Sequence, residues 1–175
     1  MNLYDKRIKE LAAKAGHFPP PGEGCVSCTL DNYLCGDRVT VAVEGGEGGR
    51  PGSIGIEARG CLLTLAAAAL ICERGQGAGE GALRRAIGDV RALVAEGRAP
   101  PAAAWRDLEV FSPVHVHKHR HECVLLPFEA LEACLDGLAG PVAEAVPAAA
   151  EKTGVNPLVW IIGGAVVLGV LYFLI

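Results

Sequence analysis

Two stretches of strict alternation, joined by glycine and followed without a break by an Ala/Leu run, constrain this chain more than any other feature. Val39, Val41 and Val43 alternate with Arg38, Thr40 and Ala42, and Ile54, Ile56 and Ala58 repeat the pattern. A period of two puts alternate side chains on one face of an extended chain, the mark of a half-buried strand. Glu44–Ser53 between them holds five glycines and a proline, so the pair reads as a hairpin with a long turn. Directly after Gly60, Cys61–Glu73 carries no proline and no glycine, long enough for a buried helix leading off the second strand. A sheet with one apolar face must bury it against another layer, and the next element supplies that layer.

The remaining pattern fills in around this unit. Leu3, Ile8, Leu11, Ala12 and Ala15 predict a short amphipathic opening helix, ended by Pro19-Pro20-Pro21-Gly22. Cys25–Leu34 reads as irregular or briefly extended. Leu83, Ile87, Val90 and Val94 predict an amphipathic helix stopping near Gly97, and Pro100-Pro101 breaks the chain again. Leu108, Val110 and Val114 suggest a short extended piece. Pro127 fits the first turn of a last helix running through Leu131, Cys134, Leu135 and Leu138. The expected fold class is α+β, a small antiparallel sheet packed against helices over residues 1–139.

The end of the chain differs in composition. Residues 140–157 read as an Ala/Pro linker, and residues 158–175 contain no charged side chain, which raises the mean hydropathy to +0.32. As a helix they would span about 27 Å, close to the hydrocarbon thickness of a bilayer. Trp160, Tyr172 and Phe173 sit near the two ends, as in an aromatic belt. The expectation is a single-pass C-terminal transmembrane anchor, with the membrane as a partner and the preceding domain in the cytoplasm.

Charge and cysteine usage narrow the chemistry. With 16 Lys+Arg against 20 Asp+Glu the formal charge is −4, without the basic footprint of a nucleic-acid binder. The seven cysteines are odd in number, and Met1–Gly16 lacks an apolar secretory core, so a reducing compartment is expected. There, metal binding or thiol chemistry outranks a disulfide framework. Cys35 precedes the first alternating strand, Cys61 stands at a strand-to-helix join, and Cys123 lies shortly before the last helix. Unpaired N–H groups and the positive dipole end at a helix start favour the thiolate, which is the form that binds soft metals. Asp37, two residues from Cys35, offers an oxygen ligand.

Other candidates are weaker. Cys72 and Cys134 lie among Ala and Leu and read as core. Cys25 and Cys28 form a CxxC without a second pair, so zinc-ribbon logic fails. His115, His117, His119 and His121 would point to one side of an extended chain, either as a metal-binding tract or as a solvated basic approach. The glycines at 45–52 and 75–81 are not followed by Gly-Lys-Ser/Thr, so they are turns and not phosphate loops.

Three ordered motifs carry a resemblance. Leu34-Cys35-Gly36-Asp37-Arg38-Val39-Thr40-Val41, then Gly60-Cys61 opening the Ala-rich run, then Arg120-His121-Glu122-Cys123-Val124-Leu125-Leu126 resemble the iron–sulfur cluster scaffold family of IscU, SufU and the NifU N-terminal domain. The resemblance covers about residues 4–138. It implies an α+β domain in which Cys35, Asp37, Cys61 and Cys123 hold a labile [2Fe–2S] cluster or iron, with zinc as the alternative. It further implies a cysteine desulfurase as sulfur donor and apo-proteins as acceptors. The long segment between Cys61 and Cys123 is similar to SufU, and Arg120 matches an arginine that SufU often carries. Glu122 stands where IscU has a histidine, which favours three thiolates and one carboxylate. By the same resemblance Cys35 or Cys123 would take up persulfide sulfur. A zinc-dependent sulfurtransferase and a structural zinc domain at the membrane are the two other readings.

Overall fold

The computed structural model describes residues 3–15, 18, 22, 24–46, 50–99 and 103–139. The chain divides into a unit Met1–Ala145 and a unit Val146–Ile175. The second unit lies outside the described residues, as do the expected linker 140–157 and span 158–175. Helix α1 (Lys6–Ala12) begins where the Asp5 side chain accepts the Ile8 N–H at 2.9 Å, and it buries Ile8, Leu11 and Ala12.

Three antiparallel strands follow, β1 (Cys25–Asn32), β2 (Asp37–Gly45) and β3 (Pro51–Arg59), in the order β1-β2-β3. The expected hairpin is β2–β3, with Val41 opposite Ile56 and Val39 opposite Ala58. Val39, Val41, Val43, Ile54 and Ile56 are buried, whereas Arg38, Glu57 and Arg59 face outward. Of the two expectations for Cys25–Leu34, irregular or briefly extended, the structure has the extended one, and longer than expected: residues 25–32 form the eight-residue strand β1, pairing Cys28 with Val41 and Leu30 with Val39. Val26, Cys28 and Leu30 pack on the core, so the alternation is present once Cys28 counts as apolar.

Helix α2 (Leu62–Gly75) buries every residue from Ala66 to Cys72. A helix apolar all round can exist only between layers. Here β3 packs on it, as do α1 and α4 (His121–Ala139). Helix α3 (Glu80–Glu96) stops against Gly97 as expected and packs on α4 and on the segment that follows. That segment, expected to be extended, is 3-10 helical over Ala103–Val116. Its buried side chains Trp105, Leu108, Phe111 and Val114 recur every third residue, the period of a 3-10 helix.

Helix α4 begins six residues before its expected start at Pro127. Pro127 lies inside it, and Cys123 lies in its first turn. A proline there has no N–H for the carbonyl four residues back, so the Cys123 carbonyl loses its helical donor. The fold is thus α+β, a three-stranded antiparallel sheet covered on one face by helices.

The membrane-anchored localisation and the membrane as a partner are corrected. Among the described residues no helix is long and apolar enough to cross a membrane. Helix α4, the longest of them, carries Glu122, Glu129, Glu132 and Asp136 along its length.

Candidate metal centre

The turn between β1 and β2 carries the first candidate thiol. Asn32 is almost fully buried, and its side-chain oxygen accepts the N–H of Leu34 at 3.0 Å and of Cys35 at 3.4 Å. The Gly36 N–H closes the turn on the Asn32 carbonyl at 2.8 Å, with Gly36 at a φ of +71° that side chains avoid. Cys35 is left partly exposed at the tip, beside Tyr33 and Leu34, which are 93% and 82% exposed.

Asp37 begins β2 and is 1% exposed. A buried carboxylate must be hydrogen-bonded, and both oxygens are. Oδ1 accepts the Cys61 N–H at 2.9 Å, and Oδ2 accepts the Thr64 hydroxyl at 2.6 Å. Cys61 is the N-cap residue of α2, so the carboxylate sits on the positive end of that helix. Gly60 makes this approach possible, because a Cβ there would lie 2.4 Å from Asp37 Oδ1.

Cys123 arrives from α4. Its Sγ lies 3.3 Å from Cys35 Sγ, and Asn32 Nδ2 approaches it at 4.0 Å. Arg120 Nη1 donates to Cys35 Sγ at 3.3 Å, so two donors converge on that sulfur. Burial first, then the hydrogen bond to Cys35, pushes the Cys123 thiol above its ordinary range, and Arg120 pulls the other way. The guanidinium is itself raised, mainly by hydrogen bonding to Cys123. Ligand atoms of Cys35, Asp37 and Cys123 all lie within 4.8 Å of one another. Cys61 is not one of the three that converge within that distance; its Sγ lies 3.5 Å from Thr64 Oγ1, and its own charge is among the causes that raise the Cys123 thiol. Soft thiols with one hard carboxylate suit iron, zinc or an iron–sulfur cluster.

The other cysteines and the histidines do not join this group. Cys25 and Cys28 are three residues apart on β1, so their side chains leave opposite faces and form no clip. Cys134 donates to the Val41 carbonyl at 3.2 Å from inside the core. The histidine tract is not extended. His115 Nδ1 pairs with the Val94 carbonyl at 3.2 Å and His121 Nε2 with the His115 carbonyl at 3.0 Å. His117 and His119 stand edge to face with ring centres 6.1 Å apart. Sequence reasoning missed Asn32 and Thr64. The only signal for Thr64 was a lone polar residue in an apolar run, three positions after Cys61.

No protein-family model matches the chain, and no curated protein matches it. Solved structures do. A NifU-like protein (N-terminal) from Brucella abortus superposes with a TM-score of 0.73 at 28% identity, over 78% of this chain and 94% of that one. A protein described as a putative iron–sulfur cluster assembly scaffold for the SUF system, from Fervidobacterium islandicum AW-1, gives 0.69 at 20% identity, over 76% and 96%. The structural neighbours of this chain are therefore NifU-like and SufU proteins, and its sheet-on-helices architecture is theirs.

Proposed function

We propose that this protein is an iron–sulfur cluster assembly scaffold. Cys35, Asp37, Cys61 and Cys123 hold a [2Fe–2S] cluster as cargo, built with sulfur from a cysteine desulfurase and passed to acceptor apo-proteins. The observation that carries this reading is the meeting of Cys35 and Asp37, around the start of β2, with Cys123 of α4, within 4.8 Å, while the Cys61 N–H is bonded to the Asp37 carboxylate. Likeness to the two scaffold-type structures supports it. The partial exposure of Cys35, against a fully buried Cys123, favours Cys35 as the sulfur that a donor reaches first. That accessibility also favours a second reading, a zinc-holding sulfurtransferase in which Cys35 accepts persulfide sulfur and no cluster is assembled.

The test is anaerobic reconstitution with iron and sulfide, followed by metal and acid-labile sulfide analysis. Replacing Cys35, Cys61 or Cys123 singly by Ser is expected to abolish cluster retention. Sulfide uptake unchanged in all three variants would sink the assignment. Stoichiometric zinc without acid-labile sulfide, together with stimulation of a desulfurase, would select the second reading.

A further inference from the structure

Thr64 is fully buried in the first turn of α2, and its hydroxyl touches three of the four candidate ligands. Oγ1 lies 2.6 Å from Asp37 Oδ2, 3.0 Å from the Cys123 carbonyl and 3.5 Å from Cys61 Sγ. A hydroxyl has one proton to give, and the carboxylate and the carbonyl are both acceptors. Thr64 therefore serves one of them at a time. The shorter distance and the charge assign the proton to Asp37 here.

The second acceptor is available for a reason written in the sequence. In a regular helix the Cys123 carbonyl would take the N–H of residue 127, and residue 127 is Pro. Thr64 is the donor left within reach of that carbonyl.

We propose that Thr64 is a positioning residue that decides whether Asp37 can act as the fourth ligand. This rests on the metal-centre reading above. With the hydroxyl on Asp37, both carboxylate oxygens are tied to the start of α2. When the hydroxyl turns to the Cys123 carbonyl, Oδ2 is released toward the thiols while Oδ1 stays on the Cys61 N–H. The proton remains on Thr64 throughout, and in neither arrangement is the hydroxyl without an acceptor. The metal competes with Thr64 for one oxygen, which keeps the carboxylate a weak and reversible ligand.

The test uses the full chain under anaerobic reducing conditions, with Zn(II) titrated against a chromophoric chelator and Co(II) as the visible probe. Thr64→Val removes the competing donor at nearly constant volume, and Zn(II) is expected to bind about tenfold more tightly, the order of one hydrogen bond to a charged group. Thr64→Ser keeps the hydroxyl and is expected to match wild type. In an Asp37→Ala background, adding Thr64→Val is expected to change neither the Zn(II) affinity nor the Co(II) spectrum. A residue that merely packs would lower the thermal midpoint of every form and leave the relative Zn(II) affinities unmoved. Unchanged or weaker binding by Thr64→Val overturns the proposal, as does a gain that persists without Asp37. If Thr64→Val does not fold, Thr64→Ala is read in the same way. Absence of Zn(II) binding by the wild-type chain would count against the metal centre itself, a different failure.

Discussion

Cys123 and Cys134 sit on the same helix, equally sealed from solvent, yet in chemically different places. Both are fully buried, and burial raises both thiols above their ordinary range. Neither exposure nor acidity separates them. Their company does. Cys123 has Cys35, the Asp37 carboxylate and Cys61 around it, with Arg120 at the edge. Cys134, three turns on, meets the Val41 carbonyl, Cys28 and hydrocarbon. The first end of α4 meets the ends of other elements, where turns and helix starts leave backbone donors to organise charge. The rest of α4 packs along β1, β2 and α2, where regular ladders and helix turns pair most backbone donors. A buried thiol becomes a candidate ligand by where elements end.

The largest effect expected from breaking this contrast falls on Gly60. An added Cβ would meet Asp37 Oδ1 at 2.4 Å and its Cγ at 2.6 Å, so the carboxylate would have to leave the Cys61 N–H that Oδ1 accepts. Gly60→Ala is expected to cost about 3 kcal/mol or more in urea unfolding, at the upper end for forced overpacking, and to abolish metal binding. Gly88→Ala is the control. It lies on the exposed side of α3 with nothing within 4 Å of the added carbon, and should raise stability by up to about 1 kcal/mol. Similar losses at both positions would mean that the approach of Asp37 to α2 is not what Gly60 permits.

A middle-sized effect belongs to Cys72, in the sealed region. Burial, aided by the negative charge of Glu73, pushes this thiol from about 9 up to about 12. An acid with a raised folded pKa keeps its proton after the unfolded chain has lost it. Its stabilisation is therefore whole below about pH 9 and is lost as pH climbs toward about 12. Cys72→Ala is expected to cost about 1–2 kcal/mol at neutral pH, toward the low end for buried truncations. It should also flatten the alkaline fall in stability and leave Zn(II) stoichiometry unchanged. A steeper alkaline limb, or lost zinc, would erase the distinction between the two sets of thiols.

The same contrast explains what the sequence disclosed. Strands β2 and β3 were legible because Val and Ile alternate with polar residues and with nothing ambiguous. Strand β1 was legible only as a stretch either irregular or briefly extended, because its inward residues include Cys28, which reads as chemistry when it behaves as a small hydrophobe. The start of α4 was misplaced because a proline can open a helix or interrupt one, and position 127 does the second. For the 3-10 segment, Leu108, Val110 and Val114 suggest an extended piece, whereas the buried set is Trp105, Leu108, Phe111 and Val114. The thiols and Asp37 could be named from their places at element ends and from the resemblance those motifs carry. Asn32 and Thr64 could not, since hydrogen bonds that tie a turn to a helix start exist only after the chain has closed on itself.

The smallest effect is expected at the histidines, and it sharpens the boundary of the site. An extended chain would aim all four side chains one way, but the backbone here turns as a 3-10 helix at 103–116 and again at 118–120. His115 and His121 are consequently spent on carbonyls of Val94 and His115, holding the approach to α4. His117 and His119 make only an edge contact with each other among the ring contacts of the described residues. Replacing His117 and His119 together by Ala should change stability by less than about 0.5 kcal/mol, as for ordinary surface positions, and leave Zn(II) stoichiometry intact. His121→Ala should cost about 1 kcal/mol, the worth of one hydrogen bond, because the start of α4 and therefore Cys123 lean on it. If the double variant instead loses a bound zinc ion, the metal-binding region extends beyond the thiols and Asp37, and the boundary drawn by element ends is too narrow.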